Sequence, residues 1–147
     1  MESPTGSWLA DLIRGHQDLL AAELATAARR EIPWYAALPP AEVEARFQAF
    51  YTAFAAACAA GDVAPLRAYL ESAVADRMQQ GLGAQNLIGL AMISRGGVRG
   101  LIEAERAADP ERADQAVRQI KALLTAIRLI LSEINLRQLI RPPGPPE

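Results

Sequence analysis

The feature that constrains this chain most is its longest unbroken stretch. Asp109-Pro110-Glu111 is a helix start, with a capping acid, a proline at the first helical position and then a second acid. From there Ala113, Val117, Ile120, Leu124, Ile127, Leu131 and Ile134 follow in alternating steps of four and three, a heptad seam. The pattern predicts one helix from Glu111 to about Leu139, ended by the proline-rich tail RPPGPPE, residues 141–147. Leu123, Leu129, Ile130 and Leu136 widen the apolar surface beyond a single seam, so several sides of this helix must be covered. Either it is the central helix of a monomer, or one face meets a partner chain. We expect a homodimer, with Val117, Ile120, Leu124, Ile127, Leu131 and Ile134 as interface candidates.

A helix of that length sets the fold class if the rest of the chain agrees, and it does. No segment alternates with period two, and no Asn-Gly or Asp-Gly hairpin turn occurs. Punctuation divides the chain into about five helices. The first runs from Ser7 to Arg30, with Trp8, Leu9, Leu12, Ile13, His16, Leu19, Leu20 and Leu24 on one broad face. IPWYAALPP, residues 32–40, interrupts it. The second helix, Pro40 to Ala60, carries the stripe Val43, Phe47, Phe50, Phe54 and Cys58. Gly61 closes it and Asp62 caps a third helix that reaches Gln80, and Gly81 and Gly83 make the next break. The fourth helix spans Ala84 to Ala108. Short connections between long helices predict an all-α bundle of antiparallel neighbours, a single domain over residues 1–140.

The fourth helix poses its own question. AMISRGGVRGLI, residues 91–102, holds three glycines between Arg95 and Arg99, or just beyond. No strand precedes it, and its spacing is neither the Walker nor the dinucleotide one, so a phosphate loop is disfavoured. Gly89, Gly96 and Gly100 share one side of a helix, which predicts close packing against a neighbour, with a local kink as the alternative.

Fifteen basic residues against seventeen acidic ones leave a net charge of −2, with no basic run suited to nucleic acid. No apolar stretch is long enough for a membrane span. The single cysteine, Cys58, and the polar start MESPTGSWLADLIRG predict a cytoplasmic protein. No constellation for catalysis, metal or cofactor emerges, and the expectation is a protein that is not an enzyme. One histidine and one cysteine cannot make a zinc site. His16, on an apolar helix face, reads as a ligand to metal or haem, or a contact for another bound ligand, or, more commonly, as a hydrogen-bonded core or boundary histidine. Trp34 and Tyr35, between prolines, read as a packed lid or an exposed binding pair. Arg77, near the end of the third helix, suits a carbonyl terminus.

IPWYAALPPAEVEARFQAFYTAFAAACAAGD followed by RAYLESAVADRMQQGLGAQNLIGL resembles the N-terminal domains of RsbR-type regulators, the RsbT co-antagonist modules. The likeness lies in the I-P-x-[YW]-x-x-L-P loop at residues 32–39, the close at Ala60-Gly61-Asp62 and the Arg77-x-x-x-Gly81 step. It covers roughly residues 8 to 105. The resemblance implies a globin-like helical bundle without haem that dimerises and acts as a sensory or scaffold module. Its C-terminal helix would lead the signal outward, toward STAS-type or kinase signalling partners. A bundle holding an apolar ligand or chromophore under Trp34 and Tyr35 is the competing reading.

Overall fold

The computed structural model describes residues 4–140, which are helices joined by short turns, with no strand among them. The tail at 141–147 lies outside the described residues. Eight α-helices and one π-helical turn replace the five expected segments: α1 (Pro4–Gly15), α2 (Gln17–Glu31), α3 (Pro33–Ala36), α4 (Pro40–Ala60), α5 (Ala64–Tyr69), the π turn (Leu70–Val74), α6 (Ala75–Gln79), α7 (Ala84–Ala104) and α8 (Pro110–Leu139).

The differences have local causes. The first expected helix bends at Gly15-His16, where His16 takes φ −124° and ψ 17° and donates its N–H to Ile13 O, three residues back. A glycine at the bend makes the break cheap. Past it, Gln17 Nε2 donates to Gln48 O at 2.9 Å and to Thr52 Oγ1 at 2.8 Å, pinning the start of α2 onto α4. As a result α1 packs on α4 and α8, whereas α2 packs on α4 and α7. Ile32, held extended by the proline after it, ends α2. Pro33 then opens α3, one turn inside the segment expected to be a loop.

Gly61, at φ 66°, closes α4; its N–H donates to Cys58 O and that of Asp62 to Ala57 O. Asp62 Oδ1 accepts the N–H of Ala64 at 2.9 Å, which starts α5. The third expected helix is continuous, with a wider turn in its middle. Gly81, at φ 105°, stops it, and Leu82 N–H reaches back to Arg77 O. α7 ends four residues earlier than expected. Arg106 pairs with Glu103 and with Asp114 on α8, each at 2.6 Å, across the connection that follows. Asp109 Oδ1 accepts from Arg112 N–H, so the capping acid of α8 does what its position predicts.

One apolar cluster runs through all the long helices. α8 buries Val117, Ile120, Leu124, Ile127, Leu131 and Ile134, with Ala116, Leu123 and Ile130 beside them. This corrects the interface expectation: those six side chains are core within one chain. The second apolar stripe exists because α7 covers one flank of α8 while α1, α5 and α6 cover others. Outside the core, Leu129, Leu136 and Leu139 of α8 are exposed, as is Ile140 at its C-cap. The glycine expectation also fails. A Cβ at Gly89, Gly96 or Gly100 would meet nothing within 4 Å, whereas one at Gly97 would lie 3.1 Å from Leu20 Cδ2. The three glycines, seven and four residues apart, face outward, near exposed Met92 and Ile93, and of the four only Gly97 has a close neighbour. No helix among the described residues is long and apolar enough to cross a membrane.

Candidate functional site

The segment between the two prolines turns inward. Tyr35 N–H donates to Ile32 O, and the single turn of α3 directs the Tyr35 ring into the core, where it is fully buried. Its centroid lies 5.4 Å from that of Phe47 on α4 and 5.0 Å, edge to face, from that of Trp34. Trp34 is half-buried and carries the Arg46 guanidinium 5.5 Å above its ring. Arg46 is itself held by Glu42 at 3.0 Å, and Tyr69 OH donates to Arg46 O at 3.2 Å. Tyr35, Phe47 and Tyr69 of this layer form one side of a cavity of about 40 Å³.

The other walls come from α2, through Leu24, and from four further parts of the bundle. Phe50 and Phe47 belong to α4, Leu87, Leu90 and Ala91 to α7, and Ile127 and Leu131 to α8. The fourth is the π turn with the start of α6, which contribute Leu70, Val74 and Arg77 at spacings of four and three. A π turn inserts a residue into the helical repeat and shifts the face that follows, which is why such turns recur at functional sites. Here the face that follows carries an arginine.

Arg77 is only 7% exposed, and no carboxylate pairs with it among the described residues. Its Nε has no hydrogen-bond partner, and the Tyr35 hydroxyl has none beyond a weak one from the Arg77 side chain. The two groups are neighbours. Burial raises the Tyr35 phenol above its ordinary value, and the Arg77 cation works against that rise, aided more weakly by Arg46. A guanidinium cannot shed its proton to escape burial. Leaving one buried and unpaired costs on the order of several kcal/mol. No Asp or Glu lines the cavity, so its single strong charge is positive.

Of the residues singled out in the sequence, Tyr35 lines this cavity, Trp34 only backs the Tyr35 ring from outside it, and His16 takes no part. His16 is exposed beside the α1–α2 bend, its Nδ1 3.0 Å from Leu12 O, so its place on an apolar face is corrected. The bend rotates the side chains after Gly15 away from the face that α1 buries. Arg77 was read as a helix-end cation, and its side chain instead enters the core. The signal for this was present: it continues the buried face Leu66, Leu70 and Val74. Cys58 is sealed in the core, its thiol pushed up to about 12 by burial, slightly opposed by Arg14. Such a thiol is no nucleophile near neutrality. Among the described residues no group of three or more metal-binding side chains gathers. No family model, curated protein or solved structure matches the chain.

Proposed function

We propose that this chain is a non-enzymatic signal-input module that takes a small ligand into the cavity beneath Tyr35 and passes its presence along α8. The observation that carries this reading is a core cavity walled by every long helix except α1, with Ile127 and Leu131 of α8 in its lining. A 40 Å³ space holds only a water or two as it stands, so an entering ligand has to shift its walls, and α8 is one of them. The resemblance to RsbR-type input domains supports the same role, with STAS-type or kinase proteins as the class of downstream partner.

The test follows the emission of Trp34, in a Trp8→Phe background, while the protein is titrated with short apolar acids, alcohols and amides. A saturable change with at least one of these is expected, together with altered amide exchange in the C-terminal half of α8. Ala91→Leu, which fills the cavity from α7, abolishes both responses. A flat response to the whole panel overturns the reading, and binding without any change in α8 overturns the relay.

The second reading concerns assembly. Leu129, Leu136 and Ile140, spaced by seven and four, form a stripe on the outer face of α8 that the monomer leaves exposed. We propose that a homodimer uses this stripe in place of the buried seam. Native mass spectrometry reads it directly: a dimer that Leu136→Glu converts to folded monomer is expected, and a monomer at all concentrations removes it.

A further inference from the structure

The cavity carries information about its occupant, and the inference that follows rests on the reading of it as a ligand site. We propose that the ligand is a short-chain monocarboxylate, with its carboxylate on the Arg77 guanidinium and the Tyr35 hydroxyl and its hydrocarbon against the aliphatic wall. Three observations converge. First, Arg77 is more than nine-tenths buried, lines the cavity and has no carboxylate partner among the described residues. A permanent cation in that position is completed by an anion that the chain does not itself supply. Second, Tyr35 is fully buried beside Arg77, the one side chain that hydrogen-bonds toward its hydroxyl; a guanidinium only donates, so the Tyr35 O–H is left as a free donor next to the fork. The nearby Arg46 cation is already engaged by Glu42, so Arg77 is the one left to bind.

Third, the rest of the lining is Leu, Ile, Val, Ala and Phe, with Tyr69 committed to Arg46 O. A carboxylate has two oxygens; the guanidinium engages both and Tyr35 donates to one. Phosphate or sulfate would bury further charged oxygens against apolar carbon with no donors for them. The apolar walls instead suit a hydrocarbon tail, and a tail of few carbons needs the smallest displacement of those walls.

The experiment compares butyrate, propionate, butyramide, 1-butanol and butylammonium on the purified full chain, in chloride-free buffer near pH 7, by calorimetry and Trp34 emission. Butyrate is expected to bind at least about tenfold more tightly than butyramide, and butylammonium not at all. Arg77→Met is expected to erase that preference while butyramide still binds, and Tyr35→Phe to weaken butyrate a few-fold. Equal affinity for butyrate and its amide overturns the proposal and leaves the cavity reading standing. A panel in which nothing binds overturns both. The comparison of ligands on the unsubstituted protein decides the matter even if Arg77→Met fails to fold.

Discussion

Glycine is the residue whose position in this fold most separates spacing from contact. Gly89, Gly96 and Gly100 lie at regular helical intervals, which in the sequence reads as a docking groove, yet each faces open space within α7. Each therefore costs the helix its propensity penalty with no packing gain inside the monomer. Gly89→Ala, Gly96→Ala and Gly100→Ala are each expected to stabilise the chain by about 0.5–1 kcal/mol. Thermal denaturation would show this as a rise of roughly 2–4 °C per kcal/mol. Gly97→Ala gains less, because Leu20 Cδ2 must give way. Gly81→Ala is destabilising, since its φ of 105° is one that an alanine rarely adopts. Loss of stability at the three exposed positions would mean that something covers that face. Residue identity alone could not distinguish Gly97 from its neighbours: the contact depends on how α2 lies over α7, and that depends on the bend at Gly15-His16.

At the scale of elements, the sequence was most legible where local chemistry decides. The cap at Asp109, the left-handed close at Gly61 and the stop at Gly81 were all readable, because each is settled within a few residues. The heptad seam of α8 was equally plain as a helix, but its partner was not. Periodicity reports which face is apolar and is silent on which surface covers it; here α7, α1, α5 and α6 share the task. A substitution separates core from interface. Ile127→Ala, at a position 1% exposed, is expected to cost about 2–5 kcal/mol in urea denaturation, by an amount independent of protein concentration. A cost that grows on dilution would place Ile127 between chains. The site was only half legible. Trp34 and Tyr35 stood out as aromatics between prolines. The spacing that carries Arg77 onto the face of Leu66, Leu70 and Val74 was also there to be read, but the π turn on which that face runs was not.

For the molecule as a whole, the buried ionisable groups make an asymmetric pH profile. Tyr35, Tyr51 and Cys58 all have pKa values raised chiefly by burial. Groups raised in the folded state contribute stability that is fully present below their unfolded values and lost as pH climbs. Loss is therefore expected to begin near 9.0, the ordinary value of the Cys58 thiol, and to deepen past 10.0 as the two tyrosines join. The acid side has no comparable term: Glu103, drawn down by its hydrogen bond to Arg106, is a surface group whose pairing solvent screens. Denaturation midpoints that fall between pH 9 and 11 and stay flat from 6 to 8 would bear this out. Cys58→Ala is expected to delay the onset by removing the earliest group. The same burial gives the chain a clock of its own. With one thiol per molecule and none of it in contact with solvent, a disulfide reagent waits until the bundle parts around α4. Each labelled molecule then records one opening, and any occupant of the core that slows the count has been detected without being seen.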